Sequence, residues 1–234
     1  MAVVNIKGDG FGSGGYLDPD YQSIIIDEDY VSGALTSSCT PATATNSGAT
    51  AYAGMNGRLG VVSLTTGTVS AAGACAMGTN ANVISFYDGL FMVFEAETYL
   101  LNNLSTAGED FTIISGYGDV LTVAAQTDGI FFRYNHALNG GKWQLVAERA
   151  GVETTLDSGV LVAVNTWYNL KIETYGHTSA TFYINDINVG TIGSGLPEDA
   201  DYTGVNVGIF KSVGTGTRAY RVDWMYLYAS HGNR

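Results

Sequence analysis

The amino-acid sequence predicts an all-β protein, an antiparallel two-sheet jelly-roll sandwich, and three observations support this fold class. In the segment 167–190, apolar and polar residues alternate, as they do in strands with one buried face. The composition, with 31 glycines, 15 tyrosines, three prolines and 14% charged residues, favours strands and turns over helices. About a dozen strand-like segments are separated by turn signals, a spacing typical of sandwiches, and no segment reads as an amphipathic helix.

The segment 167–190 predicts a meander of three strands. Leu170 and Ile172 are expected to face the core, while the residues between them face solvent. Residues 175–179 read as a turn, and the next strand places Phe182 and Ile184 on its inner side. The pair Asn185–Asp186 tolerates left-handed backbone and predicts a second turn, after which Ile187 begins the third strand.

The remaining strands are predicted from shorter runs, each ended by a glycine or asparagine turn. The pattern begins at Ile24 and continues in the segments 34–54, 57–78, 83–104, 111–119, 129–135, 142–151, 152–173, 205–212 and 218–229. We therefore expect two parts, an extended N-terminal arm over residues 1–26 and a single β-sandwich domain over residues 27–230.

The arm contains a glycine-rich segment at residues 8–15. Gly8, Gly10 and Gly12 have the spacing of a phosphate-binding loop, but no Lys-Ser/Thr pair follows and no βαβ unit surrounds them. We therefore interpret this segment as extended or flexible backbone.

Charge and hydropathy exclude several classes of partner. The formal net charge of −12 repels phosphate backbones and anionic lipid surfaces, so neither nucleic acid nor membrane is an expected partner. No apolar run has membrane-spanning length, and residues 1–10 lack the apolar core of a signal peptide. We expect the protein to be made in a cytoplasm and not to be exported by the general secretory route. In a cytoplasm, Cys39 and Cys75 are expected to be free thiols rather than to form a disulfide.

Glu95 and Glu97 are the strongest catalytic candidates in the sequence. They lie two residues apart on a predicted strand, so they share a face and could act together on a glycoside. Sandwich glycanases usually present a third acid further along that strand, whereas this chain has Leu100, Leu101 and Asn102. We favour a solvated outer face and predict no catalytic residues.

No cofactor or metal site is predicted. His136, His177 and His231 are scattered and form no zinc-binding spacing. The acidic clusters at residues 27–29 and 198–201 could supply calcium ligands, but neither has the spacing of a calcium loop, so solvated acidic loops are favoured.

Aromatic residues could form a sugar-stacking platform wherever several are exposed together. The candidates are Tyr134, Trp143, Tyr168, Tyr183, Trp224 and Tyr226. Because alternate aromatics of a sandwich must face inward, we expect Trp167, Phe182 and Trp224 in the core.

Residues 165–172 and 181–187 resemble a signature of concanavalin A-like lectin/glucanase domains, including laminin-G-like ones, and residues 220–225 resemble their last strand. The sequence departs from this signature at Asn185–Asp186, where such domains usually have Asn-Gly, and it lacks the acid cluster of the glycanase branch. The order of segments 27–33, 128–143 and 165–187 is similar to that of virion proteins of tailed bacteriophages.

This resemblance implies a non-enzymatic virion structural protein, with a capsid decoration or cement protein favoured over a tail appendage. Its implied partners are the major capsid protein or tail proteins and further copies of itself, contacted through the arm and the sandwich surface. Two alternatives stay open, a tail fibre or spike and a carbohydrate-binding module for host adsorption. A glycanase is the least favoured interpretation.

Overall fold

The computed structural model describes residues 4–7, 14–18, 23–28, 30, 40–43, 50–55, 58–69, 73–79 and 83–231. Gly8, Gly10, Gly12, Asp29 and Cys39 lie outside these residues, as do the side chains of Cys75 and His231. The expectations about the glycine-rich segment and the two thiols therefore fall outside the described part of the chain.

Seventeen strands and one short 3₁₀ turn, Asn139–Gly141, form the described secondary structure. The strands are β1 (Val4–Lys7), β2 (Gly14–Asp18), β3 (Ser23–Glu28), β4 (Thr40–Thr43), β5 (Thr50–Met55), β6 (Arg58–Thr65), β7 (Gly73–Gly78), β8 (Leu90–Leu101), β9 (Phe111–Gly118), β10 (Gly129–Tyr134), β11 (Lys142–Arg149), β12 (Val152–Leu161), β13 (Trp167–Tyr175), β14 (Ser179–Ile184), β15 (Ile187–Ile192), β16 (Gly204–Lys211) and β17 (Ala219–His231).

The strands assemble into two antiparallel sheets, which confirms the predicted sandwich. In the described residues, a ten-stranded sheet has the order β1-β2-β3-β17-β8-β13-β14-β15, with β6 also beside β17 and β5 beside β6. A seven-stranded sheet has the order β12-β11-β10-β9-β16-β7-β4. The described parts of residues 1–26 are strands that extend one edge of the larger sheet.

Alternation along β8 shows why these residues form a sandwich. Leu90, Met92, Phe94 and Ala96 are buried, while the residues between them are partly exposed. The same period of two continues on both neighbouring strands, β13 and β17, which pair with β8 along most of its length. One side of the larger sheet therefore packs on the smaller sheet and the other side faces outward.

The core between the sheets is rich in aromatic contacts. Phe132 of β10 meets Phe182 of β14 edge to face, with ring centroids 5.2 Å apart, and this confirms the predicted burial of Phe182. Trp143 lies 5.8 Å from Tyr168 and 6.2 Å from Tyr134 in the same core, and all three are buried.

The expectation that Trp167 and Trp224 are core residues was wrong. Both are only partly buried and lie on the outer side of the ten-stranded sheet. For Trp167, the alternation that buries Tyr168 already places the preceding residue outward. For Trp224, a β-bulge between Val222 and Trp224 reverses the alternation within β17, so the indole points away from the core.

The second turn of the meander has the predicted left-handed backbone. Asn185 has φ 51° and Asp186 has φ 64°, and Asn185 N–H donates to the carbonyl of Asn169. The Asn-Asp sequence therefore closes this hairpin although Asn-Gly is the commoner pair.

None of the helical segments in the described part of the chain is long and apolar enough to span a bilayer.

Gly116 of β9 gives a test of how closely β9 and β10 approach each other within the seven-stranded sheet. Its φ is +152°, and a Cβ atom would lie 2.4 Å from the Ile130 carbonyl oxygen and 2.7 Å from Phe131 Cα. Gly116→Ala should therefore lower the free energy of unfolding by about 2–4 kcal/mol in urea denaturation. Gly108→Ala is the control, because no heavy atom lies within 4 Å of its added Cβ. Equal stability of the two variants would contradict this description of the sheet.

Candidate functional site

The outer side of the ten-stranded sheet carries side chains that the core does not use. Cross-strand pairing arranges them in rows, because directly opposite residues project to the same side. From one end of β8 to the other, the rows are Ser230, Phe91 and Tyr175; Tyr228, Val93 and Glu173; Tyr226, Glu95 and Lys171; Trp224, Glu97 and Asn169; and Arg221, Tyr99 and Trp167. We call this surface the outer face. Both predicted catalytic candidates lie in its middle rows.

Glu97 is held in an ion-pair cluster that we call the arginine clamp, formed by Arg58, Glu97, Asp223 and Trp167. Arg58 Nη2 donates to Glu97 Oε1 at 2.5 Å, and Nη1 donates to Asp223. The guanidinium carbon lies 4.0 Å from the centre of the Trp167 ring, a cation–π contact. The carboxylate that approaches from β17 belongs to the bulged residue Asp223.

The clamp leaves Glu97 with no unused carboxylate oxygen. Oε1 accepts from Arg58, and Oε2 accepts from Trp224 Nε1 at 3.3 Å. Although burial works in the opposite direction, the hydrogen bonds that Arg58 donates to Glu97 and Asp223 raise its pKa, so the guanidinium stays charged. Glu97 therefore acts here as an anchor for a cation.

Glu95 has a different environment, one row away. Its Oε1 accepts a hydrogen bond from Asn169 Nδ2 at 2.8 Å, and its cross-strand neighbours are Lys171 and Tyr226. Beyond Glu97, the next residue of β8 on the same side is Tyr99, whose hydroxyl donates to Asn165 Oδ1 at 2.9 Å. Glu95 and Glu97 are the two acids of β8, and both lie on the outer face.

Lys171 also lies over an aromatic ring. Its ammonium nitrogen is 4.3 Å from the Tyr183 ring centre and 3.1 Å from Glu173 Oε1. The Tyr183 hydroxyl donates to Glu173 Oε2 at 2.9 Å, and this bond raises the pKa of Tyr183. The faces of Trp167 and Tyr183 are therefore both covered by the protein's own cations.

Three aromatic side chains at the other end of the outer face form what we call the end cluster: Phe91, Tyr175 and Tyr228. Between ring centres, Phe91 lies 4.9 Å from Tyr175 in a tilted arrangement and 6.2 Å from Tyr228 in an edge-to-face arrangement. Tyr175 is 60% exposed. Within the part of the chain that the structure describes, no arginine or lysine covers these rings.

The other predicted aromatic candidates separate by strand alternation. Tyr134, Trp143 and Tyr168 are buried in the core, so they cannot form a sugar platform. Tyr183, Trp224 and Tyr226 are partly exposed on the outer face. The end cluster contains none of the aromatics proposed from the sequence, because the exposure of Phe91, Tyr175 and Tyr228 depends on the pairing of β8 with β13 and β17.

The histidines and acidic clusters remain separate from this face. His136 Nδ1 lies 2.9 Å from Ser105 Oγ and 3.1 Å from Asp110, in loops at one end of the sandwich. His177 pairs with Asp88 and Asp199 in other loops. Among the described residues, no three histidine, cysteine, aspartate or glutamate side chains are grouped as a metal site would require.

The acidic segment 198–201 is occupied by an internal cation. Arg149 pairs with Glu198 at 2.5 Å and with Asp201 at 3.2 Å. The other predicted calcium candidate, residues 27–29, is described only in part, and the side chain of Asp27 is exposed on β3.

The arginine clamp gives a stability prediction. Arg58→Ala should lower the free energy of unfolding by about 1–2 kcal/mol, since two half-buried carboxylates lose their partner and Trp167 loses its cation. Lys142→Ala is the matched control, because the Lys142–Asp157 pair is more exposed and should contribute less to stability. Denaturation followed by tryptophan fluorescence measures both variants, and equal losses would rule out a structural role for the clamp.

Comparison with solved structures places this sandwich among concanavalin A-like folds. It is similar to a protein of unknown function, SO2946, from Shewanella oneidensis MR-1, with a TM-score of 0.61, 11% identity, and coverage of 97% of this chain and 91% of that one. It is also similar to an endo-1,3-β-glucanase from Streptomyces sioyaensis, with a TM-score of 0.60, 11% identity, and coverage of 88% and 95%. Peanut lectin is a third similar structure, with a TM-score of 0.55, 7% identity, and coverage of 91% and 99%.

These structural likenesses concern the fold, since the sequence identities are low. They include both glucanases and a lectin, so the fold by itself does not separate enzymes from binding proteins. Comparison with curated protein sequences finds no significant match. A family model described as "SO2946-like, C-terminal domain" matches residues 57–223, which is well over half of the sequence. The chain therefore belongs to the SO2946-like, C-terminal domain family.

Proposed function

We propose that this protein is a non-enzymatic virion structural protein of a tailed bacteriophage whose sandwich binds glycans through the end cluster. The observation that carries the binding role is the group of three uncovered aromatic rings, Phe91, Tyr175 and Tyr228. They lie at the edge of a face whose other rings are partly covered by Arg58 and Lys171.

The end cluster has the chemistry that sugar rings favour. The apolar face of a pyranose packs on an aromatic ring, while its hydroxyls bond to nearby polar groups. Ser179 is the cross-strand neighbour of Tyr175 and Ser230 that of Phe91, so groups that could bond sugar hydroxyls are close to the rings. The similarity of this fold to a glucanase and a lectin is compatible with a glycan ligand for this protein.

The hydrogen bonds of Glu97 support binding without hydrolysis. Glycoside hydrolysis generally needs one carboxyl group to give a proton and a second to act as nucleophile or base. Here Glu97 is bonded through both oxygens to Arg58 and Trp224, and Tyr99 follows it on the same side of β8. The clamp residue Glu97 also lies roughly 20 Å along β8 from Phe91 of the end cluster.

A glycan array followed by calorimetry tests the binding role. The wild-type protein should bind at least one polysaccharide class, and Tyr175→Ala should weaken that binding about tenfold because the most exposed ring is lost. Leu161→Ala is the control, since Leu161 is 64% exposed on the edge strand β12 and lies outside the end cluster.

Two results would overturn this part of the proposal. An array without any bound glycan would remove the binding role. Release of new reducing ends from a bound polysaccharide, lost in Glu95→Gln, would replace it with catalysis by the middle rows.

The virion role rests on the resemblance of residues 27–229 to phage structural proteins and on the strands that extend the sheet. β1 and β2 continue the ten-stranded sheet beyond β3, at an edge where a neighbouring subunit could pair or pack. An acidic surface with few charged residues overall suits permanent contacts between subunits better than contacts with nucleic acid. We favour capsid decoration over a tail appendage.

Light scattering of two proteins tests the assembly role. The full-length chain should self-associate, whereas a chain in which residues 1–22 are replaced by a Gly/Ser linker of equal length should be a folded monomer. Circular dichroism of the linker variant checks that the remaining strands still form. If both proteins are monomers over the same concentration range, the N-terminal strands are not an assembly element.

A further inference from the structure

The loop 119–128, which joins β9 to β10, folds over the outer side of the seven-stranded sheet. Its two ends are tied together because Thr127 N–H donates to Asp119 Oδ1 at 2.9 Å. The Gln126 side chain closes the loop from within, since Oε1 accepts from Val120 N–H and Nε2 donates to the carbonyls of Val120 and Val123, each at 3.0 Å. We call this segment the cover loop.

The cover loop reaches two further strands of the sheet. Asn206 Nδ2 of β16 donates to the Val120 carbonyl at 2.6 Å. A Cβ atom at Gly118 would lie 2.4 Å from Gln126 Oε1, and one at Gly78 would lie 3.0 Å from Leu121 Cδ2. The glycines therefore let the loop lie directly on the sheet.

A second apolar cluster lies on this side of the sheet, separate from the core between the sheets. It consists of Ala76, Ile114, Phe131, Val146 and Phe210, and Ala124 of the cover loop packs against it. All five are buried although they project away from the main core. Opening of the loop would take Ala124 off this cluster and expose part of it to water.

Glu148 of β11 is buried at the base of the cover loop, with 6% of its surface exposed. It projects to the same side as Val146, and its cross-strand partners are Gly129 and Glu153. The charged groups around it are Glu153 from β12, Arg133 from β10, and Asp119 and Asp128 from the two ends of the loop; Arg149, the next residue of β11, is paired with Glu198 and Asp201.

We propose that the cover loop is a pH-gated cover, which lies closed over the second apolar cluster when Glu148 is protonated and opens when Glu148 is ionised. An ionised Glu148 adds a negative charge near Asp119 and Asp128, the residues at which the loop leaves and rejoins the sheet, since its cross-strand partner on β10 is Gly129, next to Asp128. Arg133 offsets this charge only in part, because its guanidinium is already bonded to both oxygens of Glu153 at 2.6 Å.

The direction of the pH effect follows from the burial of Glu148. Burial first, and then the charge of Glu153, raise the pKa of Glu148 from 4.5 to about 7. Burial and the charges of Asp201 and Asp119 also raise the pKa of Asp128. In the open state Glu148 returns to water and to its ordinary pKa, so between these values the closed state binds more protons. The closed state is therefore favoured at low pH and loses this advantage as pH rises through about 7.

Hydrogen exchange of the full-length protein at pH 6 and pH 8 tests the gate. After correction for the intrinsic exchange rates, the opening equilibrium at the Val120 and Thr127 amides should increase about tenfold between these pH values, the change expected from one proton with a pKa near 7. Amides of β13 and β14, on the other sheet, should keep their protection.

Glu148→Gln should remove this pH dependence and keep the loop protected at both pH values, because the neutral amide adds no charge. Asp119→Asn should reduce it, since the asparagine keeps the Oδ1 acceptor for Thr127 but not the negative charge. Asp186→Asn, a matched change in the distant β14–β15 turn, should leave the tenfold increase intact.

Equal loop protection of the wild-type protein at both pH values would overturn the proposal, as would unchanged pH dependence in Glu148→Gln. If Glu148→Gln fails to fold, direct carboxyl titration of Glu148 by NMR in the wild-type protein decides. A midpoint near 7 that coincides with loop opening supports the gate, and a midpoint near 4.5 rejects it.

Discussion

The register of β8 is the constraint on which both sides of the larger sheet depend. Leu90, Met92 and Phe94 supply the core, while Phe91 and Glu95 supply the outer face, and all of them belong to one uninterrupted strand. A slip of one residue against β13 or β17 would exchange these two sets, placing carboxylates in the core and phenylalanine in water. Because burying an unpaired carboxylate is costly, the register that keeps the apolar residues in the core also fixes which aromatic residues lie on the outer face.

The outer sides of the two sheets are organised by different interactions. On the ten-stranded sheet, cations lie on ring faces and are bonded to carboxylates, as Arg58 is to Glu97 and Lys171 is to Glu173. On the seven-stranded sheet, aliphatic and aromatic groups are covered by the chain itself, through the loop after β9. One surface is thus organised by charge pairs and accessible at its end, and the other is apolar and covered in part by a loop that hydrogen bonds hold in place.

Sequence patterns could predict the strands wherever alternation is regular, as in the meander from Leu170 to Ile187. They could not predict the outward position of Trp224, because the bulge at Asp223 has no local signature and reverses the alternation after it. The arginine clamp could not be predicted from the sequence either, since Arg58 and Asp223 are 165 residues apart and meet only after β6 and β17 have paired. Glu95 and Glu97 were recognised as sharing a face, but their partners come from three other strands.

Strand β17 has a consequence for the order in which this protein can fold. It pairs with β8 along nearly its whole length on one side, and with β6 and then β3 on the other, so it is central in the larger sheet. A ribosome makes residues 219–231 after every strand they join, and until then β8 has an unpaired edge beside an exposed half of the core. Folding during synthesis must therefore stop at an incomplete larger sheet until β17 has been made.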